Sequence, residues 1–542
     1  MDYDILKTQQ EYLNHALTYY TGLKALVLDS ITTSIVSHLY SMMDVTQKEI
    51  YIITNIADKT REPLYYATAI CVLHPSKFII DRLVEELKVP KYKQYYIFFT
   101  SPINESIIET LAEADVHEIV QSVQELYMDC CSITSNLFSL CFKGSESDEI
   151  TVERSVEALM SILISQKENP VIRYQTNGST LPQNIAYKIS QRIQSSLTVQ
   201  DGLIPIQPTS TTLLILHRSF DCATPLLIQW TYQAMIHEFL GINSNLVELP
   251  TGKVEFAFPN DPFYRQMHQR MFVEVTDEIQ TRLNQFNSSK EEKLKLDTMD
   301  EMQKAIDAIP ELVKEKESLT KHTSILSAAL AINKQKKGLQ LSEFEQALVV
   351  NNALSSSLAE LSNIINDNTI PYNDRLKEAV LFAYRFPQKA EDVRSMLQLQ
   401  KFKLEDSQLI KSIIAYGQNP PLKVFPDETG LKKFVKKIVK GSGGVENVYT
   451  QHRPLLESIA RNILYNKEDL KKCFPGFGDI HKINQNLIIY IVGGITFEEN
   501  VAIQEIKKNY SDQGLVPPKI LIGGTDVLNS TKFLNMLRPK QK

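Results

Sequence analysis

Short apolar runs alternate with amphipathic stretches over residues 1–128. Four of these runs have the length and the branched and aromatic content of buried strands. They lie at 23–29, 49–54, 67–73 and 94–99. Helical patterns separate most of them, for example at 75–89. This alternation predicts a parallel sheet with helices on its faces.

Residues 129–225 repeat the alternation. The pattern predicts helices at 152–166 and 186–197, a short extended piece at 170–175 and a strand at 212–218.

Strand patterns return near the C-terminal end, at 486–494 and 519–524, and each ends in a Gly-Gly pair. Between them, Thr496 and Glu499 have the spacing of a capping box for a helix. One strand-helix-strand unit of this size makes the two strands parallel. Because so small a unit leaves its strand edges unpaired, we predict one sheet built from both separate segments, with the residues between them inserted.

The chain from 225 to about 470 has an almost entirely helical pattern. One apolar stripe recurs at every fourth position, at Phe263, Met267, Met271, Val275, Ile279 and Leu283. Three leucines follow at seven-residue spacing, at Leu312, Leu319 and Leu326. Ser342 and Glu345 have the spacing of a capping box that opens another helix, and residues 431–440 predict a basic amphipathic helix.

Composition narrows the class of protein. The 542-residue chain is 43% hydrophobic and 23% charged, with a net charge of -6, as in soluble proteins of two to four domains. Neither the charge nor any motif indicates nucleic acid as a partner.

No apolar run reaches the roughly 18 residues of a membrane span, and the start MDYDILKTQQ is too polar for a signal peptide. Six cysteines without a CxxC pair, and ten scattered histidines, predict a reduced, cytosolic protein with no metal and no cofactor.

The segment LLILHRSFDCATPLLIQWTYQAMIHEFLGI, which begins at Leu213, places charged side chains directly after a predicted strand. His217, Arg218 and Asp221 would suit acid/base catalysis there, because α/β folds keep their sites at strand ends. No nucleophile motif such as GxSxG lies nearby, however.

A structural interpretation of the same segment is stronger. Arg218 and Asp221 are spaced to pair across the turn, Thr224 is a good helix N-cap, and Pro225 fits the first helical turn. We therefore interpret the segment as a joint between two domains, followed by a helix over 226–240.

Three glycine-containing segments could approach a phosphate group. They are GSGGVENVY at 441–449 and the Gly-Gly ends of the two C-terminal strands. None has the full pattern of a dinucleotide-binding or P-loop motif, and tight strand-to-helix turns explain the strand ends better. A nucleotide or sugar-nucleotide enzyme is the alternative function.

The segment at the joint is similar to a signature of the SM family, the regulators of SNARE assembly. That signature is an apolar strand, Asp-Arg, two residues, Asp, two more, Thr/Ser-Pro, and a helix with Tyr-Gln-Ala-Met. The chain matches it at Arg218, Asp221, Thr224, Pro225, Tyr232, Gln233, Ala234 and Met235. It departs at His217, where the family usually has Asp.

Other segments that resemble the family occur in the same order along the chain. They are KYKQYYIFF at 91–99, LAEAD at 111–115, PVIRYQ at 170–175, GVENVYTQH at 444–452 and IYIVGGITFEE at 489–499. The amino-acid sequences of these segments are most similar to those of the vacuolar-sorting branch of the family, which serves endosomes and the trans-Golgi.

The resemblance implies a non-enzymatic α/β fold of three domains that form an arch. Residues 1–128 would be a Rossmann-like parallel-sheet domain that binds the syntaxin. Residues 129–225 and 475–542 would together be a second Rossmann-like domain, split in sequence. Residues 226–474 would be a large, mainly helical third domain with a hairpin that templates SNAREs.

Two binding surfaces are implied as well. A pocket for the N-terminal peptide of a syntaxin falls at Ile103, Ile108, Val123 and Glu125. The residues themselves agree in part, because Ile108, Val116, Ile119 and Val123 have helical spacing, although such a stripe is more often plain core.

The second implied surface is the hairpin. Pro310 falls where relatives bend it, and proline does break or kink a helix. The helical segment after Pro310 would form one arm of the hairpin. Its leucines at seven-residue spacing would suit a SNARE coil, or they would pack within the insertion; they are Leu312, Leu319 and Leu326.

The implied function is to bind a syntaxin-type Qa-SNARE and its complex, and to template SNARE assembly in vesicle docking and fusion between Golgi and endosome or vacuole. The protein would be a cytoplasmic monomer that associates with Golgi and endosomal membranes through SNAREs. Direct lipid binding through the helix at 431–440 is a third, weaker interpretation.

Overall fold

A computed structural model describes most of the chain. The described residues are 2–142, 147–293, 299–350, 353–418, 420, 422–425, 451–465, 474–478 and 485–538, without the side chains of 286–312. The chain divides into two compact units. Unit 1 comprises Met1–Arg218, Ile459–Ile495 and Ile506–Val527, and unit 2 comprises Ser219–Ser458, Thr496–Glu505 and Leu528–Lys542. Within the described residues, no helix combines the length and the apolar character that crossing a bilayer requires.

The first sheet of unit 1 has five parallel strands in the order β2-β1-β3-β4-β5. The strands are β1 (Lys24–Leu28), β2 (Ile50–Asn55), β3 (Leu64–Leu73), β4 (Tyr92–Phe99) and β5 (Val120–Glu125). The helices of this region are α1 (Ile5–Thr18), α2 (Ser30–Leu39), α3 (Met42–Thr46), α4 (Lys77–Lys88) and α5 (Glu105–Ala114). The four predicted strands are confirmed. β5 was not predicted, because its sequence VQSVQE is mainly polar, as suits a strand at the edge of a sheet.

The second sheet of unit 1 has the order β12-β8-β9-β13-β14-β7-β6. Its strands are β6 (Cys131–Ser132), β7 (Leu137–Ser139), β8 (Val171–Tyr174), β9 (Thr211–His217), β12 (Gly476–Phe477), β13 (Asn486–Val492) and β14 (Ile520–Gly524). Two helices accompany the early strands, α6 (Asp148–Gln166) and α7 (Leu181–Val199). The five central strands are parallel, and the two outermost are antiparallel to their neighbours.

β9 and β13 pair in parallel over their full lengths, from Thr211 opposite Asn486 to His217 opposite Val492. The prediction of one sheet from two distant segments is therefore confirmed. The predicted parallel pairing of β13 with β14 is confirmed as well. The boundaries of the three predicted domains stay a prediction.

Unit 2 is mainly helical. Its first helices are α8 (Tyr232–Phe239), α9 (Pro262–Met267), α10 (Phe272–Lys293) and α11 (Met299–Gln335), with the antiparallel pair β10 (Leu246–Leu249) and β11 (Gly252–Glu255) before α9. The next are α12 (Gly338–Val350), α13 (Leu354–Asn366), α14 (Tyr372–Arg385), α15 (Ala390–Leu399) and α16 (Leu404–Tyr416). The last helices of the chain are α17 (Leu455–Leu464), α18 (Phe497–Asp512) and α19 (Ser530–Leu537).

The helix predicted over 226–240 is shorter than expected, because it begins only at Tyr232. The residues before it hydrogen-bond elsewhere: the Ile228 N–H donates to Glu345 Oε2 at 2.6 Å, and the Trp230 carbonyl accepts from the Phe272 N–H at 2.9 Å. Tertiary hydrogen bonds thus replace the first turns of the predicted helix.

The stripe from Phe263 to Leu283 packs in the core of unit 2, but the single helix predicted for it is wrong, because the stripe lies on α9 and α10 with Met271 between them. The chain between them turns because the carbonyls of His268 and Arg270 accept from the first N–H groups of α8. Such groups have no partner within their own helix.

Candidate functional site

The predicted joint lies where the chain passes from unit 1 to unit 2, between Arg218 and Ser219. Arg218 follows β9 and is fully buried, and its Nη1 lies 3.4 Å from the Gly494 carbonyl oxygen. Asp221 is also fully buried. The direct pairing of these two side chains stays a prediction.

The Asp221 carboxylate fastens two segments of unit 2. Oδ1 accepts from the N–H groups of Ala223 and Thr224, both at 3.0 Å. Oδ2 accepts from the Thr224 hydroxyl at 2.6 Å and from the Leu455 N–H at 3.2 Å. Asp221 therefore takes the capping role predicted for Thr224, whose own side chain caps no helix. Pro225 lies in the short 3-10 helix Thr224–Leu226, so the predicted fit of proline to a first turn holds in a tighter helix.

His452 extends this hydrogen-bond network. Its Nε2 lies 2.9 Å from the Thr224 hydroxyl oxygen. Because the single proton of that hydroxyl goes to Asp221, the imidazole Nε2–H must be the donor to Thr224. Burial lowers the pKa of His452, which keeps the ring neutral.

His217 has the wrong electrostatics for a general base at neutral pH. Burial, with a smaller effect of the Arg218 charge, lowers the pKa of His217 to about 4. A general base works best when its pKa lies near the working pH. Together with the fully engaged Asp221 carboxylate, this favours the structural interpretation of the joint.

The structure brings together three of the four residues predicted for the peptide pocket. Ile103 and Val123 are partly buried against the same core cluster. Glu125, at the end of β5, accepts from the Ile103 N–H at 2.8 Å and from the Tyr127 hydroxyl at 2.8 Å. Glu125 thereby fixes the loop between β4 and α5. Ile108 lies on α5 with 48% of its surface exposed.

The predicted helical stripe through this pocket is wrong. Ile108 belongs to α5, whereas Val123 belongs to β5, and Val116 and Ile119 lie in the turn between them. The Asp115 carboxylate makes that turn by accepting from the N–H groups of Ile119 and Val120 at 2.9 and 3.0 Å. A short polar turn of this kind is hard to separate from a helix by spacing alone.

The hairpin of unit 2 consists of α10 packed against α11. The expected helix break at Pro310 is wrong, because α11 runs as one helix from Met299 to Gln335. Proline removes one backbone hydrogen bond and crowds the preceding turn, but the remaining bonds can continue the helix. The side chains of Pro310 and Leu312 lie outside the described residues.

The other two leucines of the predicted SNARE-binding stripe are core residues. Leu319 and Leu326 are 1% and 5% exposed and belong to the apolar cluster of unit 2. In the structure, Leu319 and Leu326 therefore pack within the insertion, which was the alternative to binding a SNARE coil.

The glycines at the ends of β13 and β14 serve packing and turns. The Gly493 N–H donates to the Thr525 hydroxyl at 3.1 Å, and the Gly494 N–H donates to the Ile491 carbonyl at 3.2 Å. A Cβ at Gly523 would lie 2.5 Å from the Phe138 ring. These amides are engaged within the chain and do not form a phosphate cradle. The segments 441–449 and 431–440 lie outside the described residues.

Among the described residues, His74, Asp129 and Glu157 are the group whose spacing would suit a metal ion. Arg154 already occupies this position: its Nη1 donates to Asp129 Oδ2 and lies 3.4 Å from His74 Nδ1 and 3.6 Å from Glu157 Oε2. A metal ion would have to displace the guanidinium that compensates both carboxylates. We interpret the group as a buried ion-pair network of unit 1.

Comparison with known proteins gives a consistent result. The sequence profile of the Sec1 family matches residues 24–536. Vacuolar protein sorting-associated protein 45 of Rattus norvegicus is 31% identical over 543 residues, which cover 95% of this chain and 92% of that protein. The protein of the same name from Dictyostelium discoideum is 31% identical, with 99% of this chain and 97% of that protein covered.

Solved structures agree with the sequence comparison. The SM protein Vps45 in complex with the Qa SNARE Tlg2 has a TM-score of 0.85 and 28% identity, covering 98% of this chain and 97% of that chain. The Unc18–syntaxin 1 complex from Monosiga brevicollis, at 17% identity, shares the fold with a TM-score of 0.79. A profile match over nearly the whole length, joined to 31% identity with full-length relatives, establishes that the chain belongs to the Sec1 family.

Proposed function

We propose that this chain binds a Qa SNARE and promotes assembly of its SNARE complex in transport between Golgi and endosomes. The observation that carries the proposal is the similarity over 98% of the chain to a relative solved in complex with the Qa SNARE Tlg2. The relatives named for vacuolar protein sorting support the choice of pathway. In this proposal, the protein acts on the cytosolic face of Golgi and endosomal membranes.

Within this function, we assign the peptide pocket to the surface of the first sheet near Ile103, Ile108, Val123 and Glu125. Its support is the loop that Glu125 fixes, together with the exposed apolar surface of Ile108 on the adjacent helix. A leucine or phenylalanine anchor would gain about 25 cal/mol for each Å² of apolar surface removed from water. An apolar floor with a polar rim is the usual form of such a site.

The test substitutes a charge on the exposed side of this surface. Ile108→Arg is expected to abolish binding of the N-terminal peptide of the Qa SNARE, because the guanidinium would be desolvated against an apolar anchor. The fold should survive, since Ile108 is half exposed and a long arginine reaches water easily. Isothermal titration calorimetry with the peptide measures the affinity.

Val116→Arg is the matched control, because Val116 is 73% exposed just beyond the end of α5. It should bind the peptide like the wild type. A folded Ile108→Arg protein with unchanged peptide affinity would place the pocket elsewhere. Pull-down with the complete cytosolic Qa SNARE reports the contacts outside the pocket, and these should weaken without disappearing.

We further propose that the hairpin of α10 and α11 holds SNARE helices during assembly. Because Leu319 and Leu326 are buried, this role falls to the exposed side of the hairpin, where residues 313–317 of α11 are all exposed. The three-domain division at 128, 225 and 475 belongs to the same proposal.

The enzyme alternative predicts ligand-induced stabilisation. A nucleotide that bound the folded chain would raise its melting temperature by mass action. Thermal-shift measurements with nucleotides, beside the SNARE peptide, separate the two functions. Stabilisation by a nucleotide alone would favour the enzyme.

A further inference from the structure

One carboxylate fastens α11 where the helix emerges from the core of unit 2. Residues 313–317 of α11 are exposed, and among the described side chains of this helix Ser318 and Leu319 are the first that are partly or fully buried. Asp261, directly before α9, lies at this level and is 4% exposed. We call the contacts of Asp261 and Tyr232 with α11 the clasp.

Three side chains from one turn of α11 converge on Asp261. Ser318 Oγ lies 3.3 Å from Oδ1, Lys321 Nζ lies 2.5 Å from Oδ2, and His322 Nε2 lies 2.8 Å from Oδ2. Residues three and four apart share one face of a helix, so a single carboxylate can reach all three. The same carboxylate caps α9 by accepting from the Tyr264 N–H at 3.0 Å.

His322 connects this carboxylate to α8. Its Nδ1 lies 2.7 Å from the hydroxyl of Tyr232, the first residue of α8. Since Asp261 can only accept, Nε2 carries the proton, and the bare Nδ1 accepts from the tyrosine O–H. The neutral ring satisfies both neighbours, and burial lowers the pKa of His322 in agreement with this state.

Aromatic rings surround the clasp. The ring centroids of Phe263, Phe256 and Tyr264 lie 4.8, 6.0 and 6.3 Å from that of His322. His322 is fully buried. A buried hydrogen-bond chain in such surroundings has few alternative arrangements, because an unpaired polar group there costs free energy.

A small change of angle at the clasp would move the far end of α11 by a large distance. We call the part of α11 that precedes the clasp the arm. The part of α11 from Met299 to Ser318 is roughly 30 Å long at 1.5 Å per residue. A tilt of about 10° at the clasp would therefore move the far end sideways by roughly 5 Å, about half of the roughly 8–10 Å that separates packed helices. Helices whose side chains must interdigitate cannot stay packed across such a displacement.

We propose that Asp261 and His322 are positioning residues that set the direction of α11, and that Tyr232 couples this direction to the segment at the joint. The inference rests on the proposed function, because the arm is taken to hold SNARE helices. It goes beyond it by naming the residues that fix the geometry of the arm.

The variants of His322 distinguish the effect of losing its hydrogen bonds from the effect of changing the volume that its side chain fills. His322→Leu removes both the donor and the acceptor of the ring but keeps an apolar side chain in the aromatic surroundings. His322→Gln keeps one donor and one acceptor, so it should restore much of the clasp. Thr323→Ala, at an exposed neighbouring position of the same helix, is the matched control.

Two measurements on the full-length protein test the inference. Hydrogen exchange of the backbone amides in 313–322 should become about tenfold faster in His322→Leu, because exchange follows local opening. Reconstituted SNARE assembly should slow about tenfold, the effect of losing a hydrogen bond to a charged group. His322→Gln should recover most of both effects, whereas Thr323→Ala should match the wild type.

The affinity for the SNARE N-terminal peptide reports whether the rest of the protein is intact. It should stay unchanged in His322→Leu, because the proposed pocket belongs to unit 1. If His322→Leu fails to fold, Tyr232→Phe replaces it, since that change removes only the hydroxyl donor at the α8 end of the clasp.

The outcomes are distinct. A folded His322→Leu protein with wild-type exchange, or with an equal or faster rate of SNARE assembly, would overturn the positioning role and leave the proposed function standing. A wild-type protein that neither binds the Qa SNARE nor speeds assembly would overturn the proposed function and, with it, this inference.

Discussion

At the scale of single residues, Asp221 connects two segments that are far apart in the sequence. It is fully buried, and its two oxygens accept from three backbone N–H groups and one hydroxyl. The sequence indicated a structural residue, because Asp221 is spaced to pair with Arg218 across a turn. It could not indicate the bond to Leu455, since that partner lies 234 residues further along the chain.

Asp221→Ala should cost roughly 3–5 kcal/mol of stability, in the range measured when one partner of a buried polar network is removed. Three N–H groups would lose their acceptor in a place that water does not reach. A thermal unfolding curve measures the loss as a lowered melting temperature, and soluble expression should fall with it. A variant that melts like the wild type would contradict the structural role of Asp221.

His217 gives the joint a dependence on pH. Its pKa is about 4 in the folded chain and about 6.5 when unfolded, so the unfolded chain binds the extra proton between these values. The contribution of His217 to stability is therefore complete above pH 6.5, and it is lost as the pH falls toward 4. His217→Gln removes this titration.

The free energy of unfolding of His217→Gln, relative to the wild type, should therefore rise by about 1.4 kcal/mol for each pH unit below 6.5. Urea unfolding at a series of pH values from 7.5 to about 4.5 measures this slope. His117→Gln, which removes an exposed histidine, is the control variant. Parallel curves for His217→Gln and the wild type would show that His217 does not titrate in this range.

At the scale of elements, prediction succeeded where periodicity alone decided the structure. The strands from β1 to β4 and the capping box of Thr496 and Glu499 were of this kind, and both capping hydrogen bonds are present at 2.9 and 3.2 Å. It failed where a distant partner decided the structure. Ser342 and Glu345 have the spacing of a capping box, yet both lie inside α12.

Those two side chains bind other elements instead. Ser342 Oγ accepts from the Trp230 indole N–H at 2.9 Å. Glu345 lies 2.5 Å from Lys377 on α14, and Glu378 lies 3.3 Å from the same ammonium group. Burial raises the pKa of both carboxyls, most strongly that of Glu378. A single buried cation compensates one carboxylate, so Glu378 keeps its proton.

Lys377→Met should therefore destabilise unit 2 by about 3–5 kcal/mol, because it leaves Glu345 without a counter-charge in the core. Lys389→Met is the matched control, since Lys389 pairs with Asp392 on the surface, where such pairs contribute about 0–1 kcal/mol. Differential scanning calorimetry of the two variants measures the contrast. Equal melting temperatures would contradict the stabilising role of the buried pair of Lys377 and Glu345.

At the scale of the whole molecule, the sequence predicted that the second sheet is discontinuous, because neither segment had enough strands to close its own edges. The prediction required no knowledge of side-chain contacts. The pocket and the hairpin depended on more detail: there the sequence misassigned the turn at Val116, and it left open whether Leu319 and Leu326 pack within the insertion. Spacing marks an apolar face but does not say what covers it.

The split sheet makes the C-terminal segment indispensable for unit 1. β13 lies between β9 and β14, and all of its residues except Asn486 are buried. A chain ending at residue 484 would leave the buried strand β9 without its partner along seven paired positions, from Thr211 to His217. Each buried backbone group left without a partner costs about 1–3 kcal/mol, so one such group per paired position would cost about 7–21 kcal/mol, which is as large as the roughly 5–15 kcal/mol stability of a typical domain. The truncated protein should fail to show a cooperative unfolding transition by circular dichroism and should aggregate on expression. A cooperative transition of normal midpoint in the chain ending at 484 would mean that the early segment closes its own sheet, contrary to the pairing of β9 with β13.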